Sequence, residues 1–304
     1  MKTSTSSRGL GAYLADARAR VDAVLERWGA TADAFWTAPV AAAVRYSLLS
    51  AGKRLRPTLV FATYEAVGGG SPGVAELAAA VEVVHAYSLV HDDLPCMDDD
   101  ALRRGRPTTH RAFDVPTATE AGYHMVALAA RVLAAGMDAL ALEPERRRAI
   151  ALELFQAAGA GGMIGGQALD LEAEGRRIAV AQLEEIHRRK TGVLIAASCV
   201  IGALAAGAPR ATWEAVRGYG TDVGLAFQIY DDVLDATATS DQLGKTAGKD
   251  AAHAKSTFVT VLGVGAARAE AERLAARAVD RLRQAGLVSP TLVELAHYIV
   301  TRPN

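Results

Sequence analysis

The amino-acid sequence predicts one all-α domain, and three observations carry that expectation. Stretches rich in Ala, Leu, Glu and Arg, all strong helix formers, recur along the chain. Gly and Pro cluster between those stretches. Alternating runs of β-branched residues, the mark of strands, are absent.

In chain order, helices are expected over residues 13–28, 74–91, 117–141, 145–158, 180–208, 212–235 and 266–284. Breaks fall at Gly68-Gly69-Gly70-Ser71-Pro72-Gly73, at Glu143-Pro144 and at Gly207-Ala208-Pro209. No fixed-period repeat occurs, and no Pro/Ser-rich linker is long enough to separate a pair of domains. Residues 1–304 therefore read as a single domain behind a short flexible N-terminus, about 1–10. Several helices are apolar on most faces and belong at the centre.

At 304 residues the chain can bury a sizeable core, and 51% hydrophobic with 22% charged residues is an ordinary globular composition. Its net charge of -1 supplies no general basic field for nucleic acid or an anionic membrane. Anion recognition must come from local clusters. Cys96 and Cys199 lack any C-x-x-C spacing, so neither a disulfide framework nor a zinc site is expected, and a reducing cytoplasm fits. The Ser/Thr-rich start has no apolar stretch of the signal-peptide kind. The uncharged run 193–208 is Ala- and Gly-rich and falls short of the roughly 20 residues of a membrane span. A buried core helix is expected there, with no span.

Two acidic clusters carry the chemistry. The first is Asp92-Asp93-Leu94-Pro95-Cys96-Met97-Asp98-Asp99-Asp100, directly after the apolar residues 81–90. Five carboxylates in nine positions repel one another unless a cation neutralises them. Pro95 should end the helix just past Asp92 and Asp93 and let Asp98 fold back beside them. Hard oxygen ligands without His or Cys suit Mg²⁺, which takes one or two carboxylates plus substrate phosphates. Arg103 and Arg104 follow as bidentate phosphate grips. A solvated acidic loop is the plain alternative.

The second cluster is Gln228-Ile229-Tyr230-Asp231-Asp232-Val233-Leu234-Asp235. On a helix, Asp231 and Asp235 share a face. They follow a stretch, 223–230, too apolar for an exposed helix, and carboxylates at a buried helix end are costly without a cation. An exposed acidic helix end is the alternative for this cluster taken alone. Facing each other, the two clusters would form a two-sided metal clamp for one polyphosphate.

Together they resemble the two aspartate-rich motifs of the short-chain isoprenyl diphosphate synthase family. The landmarks around them stand in the family's order: Gly52-Lys53-Arg54-Leu55-Arg56-Pro57, His85-Ala86-Tyr87-Ser88-Leu89-Val90-His91, Gly166-Gln167-Ala168-Leu169-Asp170, Lys190-Thr191-Gly192 and Leu243-Gly244-Lys245-Thr246-Ala247-Gly248-Lys249-Asp250. The resemblance covers residues 40–265, and the two extra residues of the first cluster resemble the bacterial type of farnesyl diphosphate synthase. It implies a helical bundle around a deep central cavity, Mg²⁺ as cofactor, and a homodimer.

The implied roles follow residue by residue. Asp92 and Asp98 bind magnesium on one wall and Asp231 on the other, with Asp235 acting directly or through water. Asp93 and Asp232 orient those ligands. Arg103, Lys190, Lys245 and the nearby Lys255 hold an allylic diphosphate. Gly52, Lys53, Arg56, His85 and Arg104 match the isopentenyl diphosphate pocket, and Thr191 and Gln228 face the allylic carbon. Plain alternatives stand beside these: Lys53 and Arg56 as a basic helix end, His85 as a core histidine, the glycines of 159–166 as permitting close helix packing. Arg302, in the loosely similar tail, carries no assigned role.

The implied chemistry is ionisation of the allylic C–O bond, attack by the double bond of isopentenyl diphosphate, and proton loss to the departed pyrophosphate. A terpene cyclase would carry a different second cluster and no need of the basic segment Gly52–Pro57, while a non-catalytic partner subunit should have lost ligands. Tyr87 and Ser88 lie five and four residues before Asp92, so roughly 6–8 Å deeper along one helix. An aromatic there goes with a fifteen-carbon product in the resembling family, so farnesyl diphosphate is expected, with geranylgeranyl diphosphate the alternative. Tyr87 packing between helices, with the floor set elsewhere, is the other reading.

Overall fold

Several helix starts fall where the sequence supplies a cap or a proline. We describe a computed structural model, covering residues 9–237 and 256–302. Its helices are α1 Leu10–Gly29, α2 Ala38–Leu48, α3 Leu55–Ala66, α4 Val74–Asp92, α5 Thr109–Ala112, α6 Val115–Ala139, α7 Pro144–Ala158, α8 Met163–Ala173, α9 Val180–His187, α10 Val193–Ala205, α11 Arg210–Thr237, α12 Phe258–Leu262, α13 Val264–Gln284 and α14 Pro290–Ile299. Asp114 opens α6 by accepting from the Thr117 N–H at 2.7 Å, with Pro116 in the first turn. Ser289 does the same for α14, accepting from Leu292 N–H at 3.3 Å. Thr257 and Thr260 form a reciprocal capping box on α12.

The fold is all-α, as expected. Besides the short α5 and α12, four longer helices were not read from the sequence: α2, α3, α8 and α14. Each begins beside a Pro or contains Gly, signals that read locally as breaks while tertiary packing overrides them. One expected helix, 180–208, divides into α9, a wide π-type turn over Arg188–Gly192, and α10. Gly166 of α8 rests on the Lys190 backbone within that turn, where a Cβ would fall far inside van der Waals contact.

A two-residue hairpin also interrupts the helices. β1 Leu102–Arg103 pairs antiparallel with β2 Arg106–Pro107, in register Leu102↔Pro107 and Arg103↔Arg106. Arg104 (φ 54°) and Gly105 (φ 74°) both adopt the left-handed region, the requirement of a tight primed hairpin turn. Strands this short leave no alternation to read.

Packing places α4 against α6 and α3, α10 between α3 and α11, and α11 against α13. In α10 all residues but Val193 and Leu204 are buried, which makes it the core helix expected of the uncharged run. Among the described residues, Val74–Asp92 alone is long and apolar enough to cross a membrane, with mean hydropathy 1.2. Its most apolar window is 67% buried, so the fold uses it as a central helix. Asp222 of α11, deeply buried, accepts from Arg277 at 2.6 and 2.9 Å and from Arg281 at 2.7 Å, clamping α13 to α11. The two aspartate clusters thus sit at the C-terminal ends of α4 and α11, both held by the core.

Candidate active site

Asp92 is the last residue of α4, and the chain turns back immediately: the Asp98 N–H donates to the Asp92 carbonyl at 2.9 Å. Asp93, 3% exposed, points inward and accepts from Arg103 Nε at 2.7 Å. The same guanidinium reaches Asp100 at 3.3 Å, so the hairpin ties Arg103 to the acidic loop. Burial raises the Asp92 carboxyl to about 6, with Asp98 and Asp93 adding to the rise and Lys190 and Arg103 opposing it. A charge so poorly hydrated gains much from a nearby cation.

On α11 the three aspartates differ. Asp232 is buried and accepts from the Phe258 N–H at 2.8 Å, so it fastens the start of α12. Gln228 donates toward it at 3.5 Å, and Gln228 Oε1 accepts from the Thr191 hydroxyl at 3.1 Å. Asp231 is paired with Arg302, whose guanidinium also bonds the Ile299 carbonyl and lies 4.2 Å over the Phe227 ring. Arg302 is 2% exposed. The tail residue left without a role by the sequence is therefore packed against the second cluster. Asp235 is partly exposed one turn further along.

Lys190 stands on the π-type turn and contacts Asp170 of α8 at 2.7 Å. Such wide turns re-aim side chains and are frequent at functional sites. Lys245 and Lys255 lie outside the described residues.

The basic segment before α3 forms the other half of the site. Gly52 provides space: a Cβ there would meet Arg104 Nη1 at 2.5 Å, and Arg104 uses that room to donate to the Ala51 carbonyl at 2.5 Å. Burial lowers the Arg56 guanidinium to about 10, so it stays charged at neutral pH, and its Nε has no hydrogen-bond partner. Burial, then Arg56, Arg104, Arg103 and Arg54, hold the His85 imidazole well below its ordinary value. His85 is neutral among four arginines. Lys53 is exposed at the mouth of a cleft shared with Arg18, Phe227, Tyr298 and Arg302.

Tyr87 is buried, edge-on to His91 at 6.0 Å, and His91 meets Tyr123 of α6 at 5.2 Å. Gly122 leaves the slot that His91 fills. Burial, then Asp92, push the Tyr87 hydroxyl up to about 12. The Ser88 hydroxyl donates to the His85 carbonyl at 2.8 Å.

Sequence reasoning missed Arg54, Glu82 and Asp22, whose side chains interlock behind the basic segment. One signal was present: Glu82 is an acid inside an otherwise apolar helix. Among the described residues no three His, Cys, Asp or Glu side chains converge into a ready metal cage.

Buried arginines and two aspartate-bearing helices thus make up the candidate site, and comparison with known proteins shows the family. The polyprenyl synthetase family model matches residues 37–289. The chain is 43% identical to the farnesyl diphosphate synthase of Escherichia coli over 272 residues, 88% of this chain and 91% of that one. It is 42% identical over 270 residues to geranylgeranyl pyrophosphate synthase 12, chloroplastic, of Arabidopsis thaliana, covering 86% of this chain and 74% of the relative. A geranyltransferase from Helicobacter pylori, solved with magnesium and isoprenyl diphosphate, superposes with a TM-score of 0.82 at 29% identity, over 97% of this chain and 98% of that one. With most of its length matched by family model, relatives and fold alike, the chain belongs to the polyprenyl synthetase family, as a prenyl transferase.

Proposed function

We propose that this prenyl transferase condenses isopentenyl diphosphate with dimethylallyl or geranyl diphosphate and releases farnesyl diphosphate as its main product. The observation that carries the reading is the combination of two aspartate-bearing helices with a cluster of buried arginines, of which Arg56 has an Nε without a hydrogen-bond partner. Asp92 and Asp98 would hold magnesium on one wall, Asp231 and Asp235 on the other. Bound there, magnesium neutralises charge that grows on the leaving pyrophosphate.

The chain's own groups do the rest. Arg103 and Lys190 hold the allylic diphosphate, with Lys245 and Lys255 assigned to the same task. Lys53, Arg56, Arg104 and neutral His85 hold isopentenyl diphosphate, and Gly52 keeps the Arg104 position open. Thr191 and Gln228, already paired, turn oxygen dipoles toward the allylic cation. Asp93 and Asp232 keep the two loops in register. The apolar walls exclude water, which would quench the cation.

A twenty-carbon product is the second reading, favoured by the plant relatives' nearly equal identity. A homodimer in a reducing cytoplasm is the state we propose, in keeping with exposed Tyr123 and Val126 on α6 and two unpaired cysteines. The test is incubation of the purified chain with Mg²⁺ and both diphosphates, reading pyrophosphate and prenyl chain length. Pyrophosphate without isopentenyl diphosphate would instead indicate a cyclase, and none at all a non-catalytic subunit.

A further inference from the structure

Behind the basic segment lies a buried ion pair that the chemistry above does not use. The Arg54 and Glu82 side chains are 4% and 3% exposed, and Arg54 Nη1 donates to Glu82 Oε1 at 2.7 Å. Three more guanidinium hydrogens go to Asp22 Oδ1 at 2.8 Å, the Ser50 carbonyl at 3.0 Å and the Leu48 carbonyl at 3.2 Å. One side chain thereby grips α1, α4, the end of α2 and the loop after it.

The backbone at Arg54 is left-handed, φ 48°, just before α3 begins. A residue other than glycine keeps that conformation only where its surroundings over-determine it, and such sites gather where a loop must present something. This loop presents Lys53 on one side of Arg54 and Arg56 on the other. Glu82 adds the second half of the device. It is the acid that most offsets the burial of both Arg56 and Arg104, and it stands one turn before His85 on α4. A single buried carboxylate both pins the strut and screens three arginines from one another.

We propose that Arg54 and Glu82 are positioning residues for isopentenyl diphosphate, acting through Lys53, Arg56 and Arg104 by fixing where those three present their charge. This rests on the reading of those three residues as the isopentenyl diphosphate pocket.

The experiment measures the Michaelis constant for each substrate in the full-length chain. Glu82→Gln should raise the value for isopentenyl diphosphate about tenfold or more, the loss of a charge-assisted hydrogen bond, and that for the allylic substrate less than about twofold. Removing one partner of a buried pair endangers folding, whereas replacing both with apolar residues is often tolerated. Arg54→Met/Glu82→Leu is therefore the second variant, checked for its helical signal and melting temperature, and it should show the same split. Arg56→Ala serves as the reference for the pocket itself. A split in Arg56→Ala, with equal or unchanged constants in the folded Glu82→Gln and double variants, overturns the positioning role. No split in Arg56→Ala overturns the pocket reading instead.

Discussion

Asp92 ends α4 while Asp231 lies within the last turns of α11, and they meet different surroundings: Asp92 is raised by burial, and Asp231 is held by Arg302. Both should be indispensable. Asp92→Ala or Asp231→Ala is expected to cut turnover by roughly a thousandfold or more, since metal sites supply several kcal/mol of charge stabilisation. Steady-state rates at limiting magnesium, with circular dichroism to confirm the fold, check this; near-normal turnover in both would remove the clamp. His187 gives a prediction on stability. Burial lowers its imidazole from 6.5 to about 4 in the folded chain. Between those values the unfolded chain binds more protons, so the contribution is complete above about pH 6.5 and lost as pH falls toward 4. The loss is on the order of 3 kcal/mol. Denaturant titrations across that window should show a flatter pH dependence for His187→Gln, and an unchanged slope would contradict the assignment. At this scale the aspartates were legible because charge clusters stand out in a linear sequence. Arg54 and Glu82 were not, because their meaning is mutual and they lie on different elements.

At the scale of elements, the turn over Arg188–Gly192 departs from the local helix preference at the place where α8 packs closely through Gly166. Residues 180–208 read as one helix because every segment of the run favours helix. The wide turn aims Lys190 at Asp170 and Thr191 at Gln228, and the absence of a side chain at Gly166 allows α8 to lie against it. Gly166→Ala should displace that turn. A shift near 1 Å at a reacting centre costs about a hundredfold in rate, and that is the expected loss. The check is turnover in a variant whose helical signal is intact; wild-type rates would mean that α8 can yield without moving Lys190 or Thr191. The hairpin makes the complementary case. Gly105 was visible in the sequence, but its use appears only once Arg104 is seen crossing the space left by Gly52.

Over the whole molecule, the proposed function makes product length a matter of the room left deeper along α4 from Asp92. Tyr87 is buried on α4, and its ring is braced by His91, which the slot at Gly122 locks against α6. A braced ring yields little to an overlong chain, because packed interiors resist overfilling. Tyr87→Ala is expected to shift the product to twenty carbons or more, and Ser88→Phe to shorten it toward ten. Mass analysis of the dephosphorylated products decides; an active Tyr87→Ala enzyme that still makes fifteen carbons places the floor elsewhere.

By itself the sequence determined the all-α class, the order of most helices, the two aspartate clusters and the basic segments that suit diphosphates. These are legible because helix propensity, proline and glycine breaks and runs of like charge act between near neighbours. Only the tertiary structure decided that Arg302 neutralises Asp231, that Gly52 and Gly166 act by leaving space, and that Arg54 and Glu82 lock behind the basic segment. Each of those joins residues far apart in the chain. Their energies come from burial and close approach, which exist only after the helices have packed.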